Sequence, residues 1–315
     1  MNAMVSIVLP YRNAGPFLEQ AIASVQAQTY PDWELLLIDD RSSDGGPAIA
    51  ARAAGHDPRV RTLEMPADGP HGAAAARNHG LRDARGAFVC FLDADDLFMP
   101  GKLEGQLALM QAHPEAGMVY GPTEWWYPGS PRRNWIEPLG RYAGRLHEPP
   151  ALLADVILKL RSQVPCTCAV LIRTDLIRTF GGFEEAFHLY EDQTLWVKVM
   201  LHAPVFVSDR CTALYRQHDT SVSAKAFAEG VYDRMKPHSA RDAFLDWVDG
   251  YVRAEGRLDA AIAGALRQSR ASGNMAAAGL TLRDRLSMLS DRADRFAKGR
   301  ANRLRRKLLG KQRRQ

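Results

Sequence analysis

The segment Asp93-Ala94-Asp95-Asp96 places three carboxylates within four residues, directly after a continuous apolar stretch. Carboxylates this close repel one another unless a cation lies among them. Divalent metals that bridge phosphate oxygens are held by one or two carboxylates together with the phosphates. The segment therefore predicts a metal-assisted phosphate site. The alternative is a solvated acidic turn that caps the helix beginning near Pro100, but the buried strand before the segment favours the site.

Two further polar segments could bind parts of a nucleotide. Asp39-Asp40 ends a second apolar run, and a carboxylate there could accept a hydrogen bond from the N–H of a nucleobase. The alternative is a turn stabilised by Asp and Ser side chains. Arg77 follows a run of alanines and could direct its guanidinium toward a diphosphate, or it could be a surface arginine on a helix. Taken alone, each segment favours the structural alternative.

A second acidic pair and one histidine could take part in catalysis. Glu191-Asp192 begins a predicted helix, where the helix dipole favours acids whatever their function, and the functional interpretation is a general base. His218 follows a short predicted strand and could reach a metal or a phosphate. A lone histidine is more often an ordinary loop residue, and spacing along the sequence does not decide between these alternatives.

The elements that must position these residues alternate between strands and helices. The predicted strands are Val5–Leu9, Trp33–Ile38, Arg59–Leu63, Ala87–Leu92 and Ala169–Ile172. The predicted helices are Pro16–Gln28, Ala73–Ala84, Pro100–Ala112 and Glu191–Leu201. This alternation predicts an α/β fold with a mostly parallel sheet flanked by helices. Polar clusters follow Leu9, Ile38 and Leu92, and ligands bind beyond the carboxyl ends of such strands, so one common site is expected.

Composition and charge restrict the class of protein. The 315 residues suit one large α/β domain with an appendage, and the apolar and charged fractions are ordinary. Four scattered cysteines do not form a disulfide scaffold. Cys166 and Cys168 have no second cysteine pair, so a zinc site is not expected. We expect the cysteines to be reduced thiols in a cytosolic protein. Neither a signal peptide nor a membrane span is expected.

The order of these segments resembles glycosyltransferase family 2, whose members have the GT-A fold, a Rossmann-like mixed sheet. The matching segments are Val5–Asn13, Ala23–Tyr30, Trp33–Asp44, Ala76–Gly80, Phe91–Asp96, Gly181–Phe183 and Glu191–Asp192. The resemblance implies an inverting enzyme that transfers a sugar from a nucleotide-diphosphate donor, expected to be a UDP-sugar, to an acceptor hydroxyl. The family's usual setting implies a carbohydrate or glycolipid acceptor in surface polysaccharide or glycoconjugate synthesis.

The resemblance also implies roles for residues that bind the donor. Pro10, Tyr11 and Asn13 match the first donor-binding loop, with Tyr11 packing on the nucleobase. Asp40 matches the acid that accepts a hydrogen bond from the ring N–H of the base. Arg41, the next residue, stands where the family usually has Gly, which is a departure in the base-binding loop.

Metal and catalytic roles follow in the same way. The residues expected to contact a divalent metal, Mn²⁺ or Mg²⁺, are Asp93, Asp95, Asp96 and His218. Asp95 is also expected to contact the donor ribose, and Arg77 to contact the donor. Asp192 matches the catalytic base, with Glu191 as its neighbour. In the implied mechanism the metal neutralises charge on the leaving diphosphate, while Asp192 removes the acceptor proton as the hydroxyl attacks the anomeric carbon.

Two other classes fit the sequence less well. The alternative enzymes are a nucleotidyltransferase and a dehydrogenase. A dehydrogenase that binds a dinucleotide should have a glycine fingerprint directly after the first strand, whereas the loop here is Pro10–Asn13. A non-catalytic scaffold would be indicated by the loss of an acid from either acidic cluster, and both clusters are intact. The glycosyltransferase that the family resemblance implies therefore remains the expected function.

The carboxyl-terminal part differs in composition from the rest. We expect a GT-A domain over residues 1–224, a helical extension over 225–295 and a basic tail over 296–315. The tail holds nine Lys or Arg and no acid, so the remainder of a chain with net charge +5 carries −4. The tail could be a solvated end, a nucleic-acid arm or a peripheral contact with an anionic membrane on the cytoplasmic face; nucleic acid is not expected as a partner.

Overall fold

The structure, a computed structural model, describes residues 3–232 and 238–271. The predicted basic tail (296–315) and residues 272–295 of the predicted extension lie outside the described residues. In chain order the first elements are β1 (Val5–Tyr11), α1 (Gly15–Gln26), β2 (Trp33–Asp39), α2 (Gly46–His56), β3 (Val60–Glu64), α3 (Ala73–Asp83), β4 (Phe88–Phe91), β5 (Leu97–Phe98) and α4 (Lys102–Ala112). The elements that follow are β6 (Met118–Tyr120), β7 (Glu124–Trp126), β8 (Trp135–Ile136), β9 (Arg145–His147), β10 (Val170–Arg173), α5 (Thr174–Thr179), α6 (Glu191–His202), β11 (Val205–Val207), β12 (Ala213–Arg216), α7 (Val222–Ala228), α8 (Ser239–Ala254) and α9 (Ala260–Ala271).

The central sheet has eight strands in the order β3-β2-β1-β4-β10-β6-β11-β9. Strands β3, β2, β1 and β4 are mutually parallel, and β6 is parallel to β11. Strand β10 runs antiparallel to both of its neighbours, and β9 runs antiparallel to β11. A second sheet has the order β5-β12-β7-β8. This mostly parallel sheet flanked by helices confirms the predicted α/β class.

The central strands are apolar on both faces because helices cover both faces. On β1, Leu9 belongs to one hydrophobic cluster and Val8 to the other, and Leu37 and Leu36 alternate in the same way on β2. Helices α1 and α4 pack in the first cluster, and α3, α6, α8 and α9 in the second. The two helices of the predicted extension thus share the core of the sheet, and the boundary at residue 224 stays a prediction. Within the described residues, no helix has the length and apolar character needed to cross a bilayer.

Residues Thr123–Pro150, whose weak periodicity predicts a loop, contain β7, β8 and β9. Strands of two or three residues are too short to show the two-residue alternation by which strands are recognised. Trp125 and Trp135 stack across this hairpin with ring centroids 5.1 Å apart, and the indole of Trp125 donates to Glu137 at 2.8 Å. These side-chain contacts between the paired strands β7 and β8, rather than a repeating sequence pattern, define the hairpin.

Candidate active site

The three polar segments lie at one edge of the central sheet, because β2, β1 and β4 are adjacent and parallel. Strand β1 pairs with β2 as far as Tyr11, but with β4 only as far as Val8. Strands β1 and β4 therefore separate beyond Val8. At β1 the sheet order reverses, because β2 and β3 lie on one side of β1 and the next strand in the chain, β4, lies on the other. Such a switch point is where open α/β sheets bind ligands. Pro10 lies just past the last pair with β4, so its missing N–H does not interrupt that ladder.

Asp40 lies at the end of β2 with only 4% of its surface exposed. Its Oδ2 accepts a hydrogen bond from the backbone N–H of Gly72 at 3.0 Å, and Arg12 lies 3.8 Å from the same oxygen. Its Oδ1 is buried and has no hydrogen-bond partner among the described residues. Leaving such an oxygen unpaired costs free energy, so Oδ1 has an acceptor position that no described residue fills.

The loop around Asp40 is fixed by side chain to backbone contacts. Asn13 has φ of 50°, and its Oδ1 accepts from the N–H of Ser43 at 2.8 Å while its own N–H donates to Ser42 at 3.0 Å. Arg41 has φ of 61°, in the left-handed region that favours glycine, which explains why glycine is usual at this position. The Arg41 guanidinium donates to the carbonyl of Pro66 at 2.8 Å, so it ties this loop to the segment before α3.

Tyr11 is buried at the end of β1, with its ring against the start of α2. A Cβ added to Gly46 would lie 3.3 Å from two carbons of the Tyr11 ring, so glycine permits this close approach. Burial, and then the nearby carboxylate of Asp39, raise the pKa of Tyr11, which keeps the phenol protonated. The stacking of a nucleobase on this ring stays a prediction.

The three carboxylates of the acidic segment after β4 lie in three different environments. Asp93 Oδ1 accepts from Arg77 at 2.5 Å, and Asp95 Oδ2 lies 2.8 Å from His218 Nε2. Asp96 is fully buried, and its Oδ1 accepts from the backbone N–H of Arg216 at 2.9 Å. Burial, and then the charges of Asp95 and Asp93, raise the pKa of Asp96 well above its usual range. The structure therefore does not bring Asp96, expected to contact the donor metal, to the open edge, because β12 draws its carboxyl inward.

Arg77 connects the acidic segment to the predicted catalytic pair. Arg77 is 2% exposed, and its guanidinium lies between Asp93, at 2.5 Å, and Glu191 Oε1, at 3.2 Å. Burial alone would lower the pKa of Arg77, but the carboxylates of Asp93 and Glu191 outweigh burial and raise it. A buried cation needs such partners. The predicted donor contact of Arg77 stays a prediction, and its observed contacts are with these two acids.

Glu191 and Asp192 begin α6, after Tyr190 in the left-handed conformation with φ of 67°. Asp192 Oδ1 accepts from the backbone N–H of Gln193 at 2.8 Å. Burial, and then the charge of Glu191, raise the pKa of Asp192 to about 7, although Arg77 opposes the shift. A carboxylate with a pKa near the working pH is suited to accept a proton, and the role of Asp192 as general base stays a prediction.

His218 and Asp95 form a pair of metal-ligand type. His218 Nδ1 lies 2.7 Å from Thr220 Oγ1, which fixes the direction of the ring, and the ring packs on Phe17 with centroids 4.7 Å apart. Two adjacent ligands on an octahedral ion, each at about 2.1 Å, lie about 3.0 Å apart. The 2.8 Å between Asp95 Oδ2 and His218 Nε2 is close to that separation, so these two side chains fit a divalent ion.

Sequence reasoning missed Arg216. Its Nε donates to the carbonyl of Asp95 at 2.5 Å, and its guanidinium lies over Trp126 at 4.4 Å and Phe17 at 5.0 Å. Arg216 thus supports the turn that presents Asp95 to His218. Only the short spacing to His218 could have drawn attention to it, because its aromatic partners come from distant parts of the chain.

Asn78 joins two of the sequence motifs. Its Nδ2 donates to the carbonyl of Phe183 and its Oδ1 accepts from the N–H of Phe183, both at 2.9 Å. Gly182 has φ of 77°, and a Cβ there would lie within 2.4 Å of Asn78 Oδ1, so only glycine permits this contact. These bonds hold α3, which carries Arg77, against the segment that leads to α6.

We expect Asn78→Ala to lower the free energy of unfolding by about 2–4 kcal/mol, because it leaves both buried backbone groups of Phe183 unpaired. Urea unfolding followed by circular dichroism measures this change. The matched control is Asn134→Ala, which removes a similar pair of bonds, to Glu124 and Tyr127, at a partly exposed site. If Asn78→Ala lowers the free energy of unfolding by no more than Asn134→Ala does, the structural role given to Asn78 is contradicted.

Comparison with known proteins agrees with this geometry. The profile of glycosyl transferase family 2 matches residues 6–180, which is more than half of the chain. The chain is similar to WfgD of Escherichia coli, a UDP-Glc:alpha-D-GlcNAc-diphosphoundecaprenol beta-1,3-glucosyltransferase. The two are 31% identical over 232 residues, covering 72% of this chain and 82% of WfgD.

Solved structures show the same fold. A structure of S. aureus TarS 1-349 in complex with UDP-GlcNAc superimposes with a TM-score of 0.65 at 18% identity, covering 91% of this chain and 79% of the other. The mannosyltransferase PcManGT from Pyrobaculum calidifontis, in complex with GDP-Man and Mn²⁺, gives a TM-score of 0.53 at 21% identity, covering 96% and 81%. With its GT-A fold and its matched family profile, the chain belongs to glycosyl transferase family 2 and is a glycosyltransferase.

Proposed function

We propose that this glycosyltransferase transfers a sugar from a nucleotide-diphosphate donor, a UDP-sugar, to an acceptor hydroxyl with inversion of the anomeric centre. The observation that carries the proposal is the Arg77 bridge. It joins Asp93, next to the Asp95–His218 pair, to Glu191, next to Asp192, which supports a single site made of a donor half and a catalytic half.

The donor half is built on Asp40 and the loop after β1. The unpaired Oδ1 of Asp40 would accept the ring N–H of a base, with Tyr11, Pro10 and Asn13 shaping the loop around it. Uracil and guanine carry a ring N–H on their pairing edge, whereas cytosine and adenine have an acceptor nitrogen there. WfgD is named for UDP-Glc, and TarS was solved with UDP-GlcNAc, which supports uracil over guanine.

A divalent cation, Mn²⁺ or Mg²⁺, fits the Asp95–His218 pair, and the presence of Mn²⁺ with GDP-Man in PcManGT supports it. When bound, such an ion neutralises charge that develops on the leaving diphosphate. Asp93 is held by Arg77 and Asp96 is buried, so Asp95 and His218 are the ligands we propose. Thr220 would keep His218 in the ligating orientation.

In the catalytic half, Asp192 would accept the proton of the acceptor hydroxyl as that oxygen attacks the anomeric carbon. A single displacement on the face opposite the diphosphate inverts the configuration. The raised pKa of Asp192, about 7, makes it a stronger base than an ordinary carboxylate while leaving much of it ionised at neutral pH. Arg77 would limit that rise through its positive charge and fix the position of the neighbouring Glu191.

The acceptor we propose is a glycolipid or a growing carbohydrate in surface polysaccharide or glycoconjugate synthesis. WfgD, by its name, acts on a sugar linked to diphosphoundecaprenol. Contact of the basic residues 296–315 with an anionic membrane would bring the enzyme to a lipid-linked acceptor, and each basic residue contributes about 1 kcal/mol near such a surface. A panel of nucleotide sugars, assayed for donor hydrolysis and transfer with Mn²⁺, tests the proposal. Turnover of a nucleotide sugar supports it, and no turnover or binding across the panel contradicts it.

The nucleobase selectivity follows from Asp40. We expect UDP to bind more tightly than CDP, and Asp40→Ala to remove that preference, because the carboxylate then no longer accepts the ring N–H. Isothermal titration with each nucleotide in the presence of Mn²⁺ measures the four affinities. Gly72 also loses its hydrogen bond in this variant, so a thermal unfolding curve serves as the folding control. An unchanged UDP to CDP ratio would remove Asp40 from base recognition.

A further inference from the structure

Cys166, Cys168 and Asp96 bring three metal-ligand atoms together behind the candidate active site. The two thiols lie on either side of Thr167, in the turn before β10, and Asp96 comes from the turn after β4. Their donor atoms all lie within 4.8 Å of one another, and no other three Cys, His, Asp or Glu side chains do so in the part of the chain that the structure describes. The sequence argued against zinc because a second cysteine pair is lacking; the fold adds a carboxylate instead.

The cluster is buried and has unused hydrogen-bonding capacity. Asp96 and Cys168 are fully buried, and Cys166 is partly exposed. Asp96 Oδ1 accepts from the N–H of Arg216, whereas Oδ2 meets no N–H donor among the described residues, and the only other donor beside this carboxyl there is the weak thiol of Cys168. The Sγ atoms of the two cysteines lie 3.4 Å apart. A thiol is a weak donor that satisfies a buried carboxyl oxygen poorly, and beside two thiols a cation would be a stronger partner.

A buried lysine supplies charge balance near this cluster. Lys102 is fully buried, and its Nζ donates to Gln106 Oε1 at 2.6 Å and to the carbonyl of Val170 at 3.3 Å. Within residues 3–232 and 238–271, no carboxylate forms an ion pair with it. Burial lowers the pKa of Lys102, whereas the cysteines Cys90, Cys168 and Cys166 act in the opposite direction. The thiol of Cys166 and burial raise the pKa of Cys168, so Lys102 alone does not convert this thiol to a thiolate.

We propose that Cys166, Cys168 and Asp96 bind a thiophilic divalent cation, Zn²⁺, at a site separate from the Asp95–His218 pair. Two thiolates on tetrahedral zinc lie about 3.8 Å apart, so the observed sulfurs need to separate by only a few tenths of an ångström. The three negative charges of two thiolates and one carboxylate equal the three positive charges of Zn²⁺ and the Lys102 ammonium. On binding, the protons of both thiols and of the Asp96 carboxyl pass to solvent. Thiolate ligands select zinc over Mg²⁺ and Mn²⁺.

The ion would tie the turn after β4 to the turn before β10. Because Asp96 also holds the backbone of Arg216, and Arg216 holds the carbonyl of Asp95, the site would stiffen the turn that carries the Asp95–His218 pair. Cys166 is the partly exposed ligand, so the fourth coordination position and the path of entry lie on its side. This inference concerns binding alone and does not rest on the proposed reaction.

Titration of the reduced full-length protein with Cd²⁺, followed by the ultraviolet thiolate-to-cadmium absorption band, tests the site. We expect the band to saturate at one equivalent, to be displaced by Zn²⁺ and to resist an excess of Mn²⁺. Cys166→Ser and Cys168→Ser should each greatly reduce the band, whereas Cys211→Ser, a matched control outside the cluster, should leave it unchanged. Asp96→Asn should weaken Zn²⁺ binding by about tenfold or more.

Far-ultraviolet circular dichroism establishes that each variant is folded. If Cys168→Ser does not fold, the Cys166→Ser variant, at the partly exposed position, is used to test the site. The inference is overturned if the wild-type protein gives no thiolate band, or if the band survives unchanged in folded Cys166→Ser. The cadmium absorption band does not depend on nucleotide binding. Failure of the zinc-site inference is therefore distinguishable from failure of the proposed transferase reaction.

Discussion

Asp192→Asn is expected to lower kcat by about 10²–10⁴-fold, the usual contribution of a positioned general base, while nucleotide affinity is kept. The amide has nearly the shape of the carboxylate and can still accept from the N–H of Gln193, so the start of α6 should be preserved. Steady-state kinetics, together with titration of UDP in the presence of Mn²⁺, separate the two quantities.

The pH dependence checks the same assignment. Asp192 must be deprotonated to accept a proton, so kcat/KM should rise with pH through about 7 and level off above it. Glu191→Gln removes the neighbouring charge that raises this pKa, so the rise should move to lower pH. A variant Asp192→Asn with near-normal turnover, or a profile without a step near 7, would remove Asp192 from the role of base.

The second large effect is expected at the Asp95–His218 pair. Asp95→Ala and His218→Ala should each weaken Mn²⁺-dependent UDP binding by about 100-fold or more, since loss of even an outer contact to a metal ligand typically costs 10–100-fold. Thr220→Ala, which only releases the His218 ring, should fall in that smaller range. Isothermal titration with and without EDTA measures the metal-dependent part.

The matched control is Asp209→Ala, which removes an exposed acid elsewhere on the surface. Its UDP affinity should equal that of the wild-type protein. Equal UDP affinity in the presence of EDTA, or wild-type affinity in Asp95→Ala, would contradict a metal held by this pair.

The position of the site could be predicted from the sequence, because it depends on where apolar strands end. The polar segments after β1, β2 and β4 needed only the rule that ligands bind at the carboxyl ends of parallel strands. The neighbouring order β2-β1-β4 then brings them together. The same reasoning does not extend to β7, β8 and β9, whose two or three residues carry too little pattern and depend on contacts such as that between Trp125 and Trp135.

The contacts that each side chain makes within the site could not be predicted, because they depend on partners far apart in sequence. Asp95 and Asp96 are adjacent, yet one faces His218 and the other is buried against the N–H of Arg216 and near Cys168. Arg77 looks like a surface arginine on an alanine-rich helix until Asp93 and Glu191 are placed around it. Burial and pairing of this kind arise only in the folded chain.

The stereochemistry of the product tests the central claim most directly. Once a donor is found in the nucleotide-sugar panel, the anomeric configuration of the transferred sugar can be read by proton NMR of the glycoside, whose anomeric centre does not mutarotate. A single displacement, with Asp192 as base and no enzyme nucleophile, predicts that an α-linked donor sugar becomes β-linked in the product. A product that keeps the α configuration would contradict the account, because retention requires a different catalytic arrangement from the one proposed around Asp192.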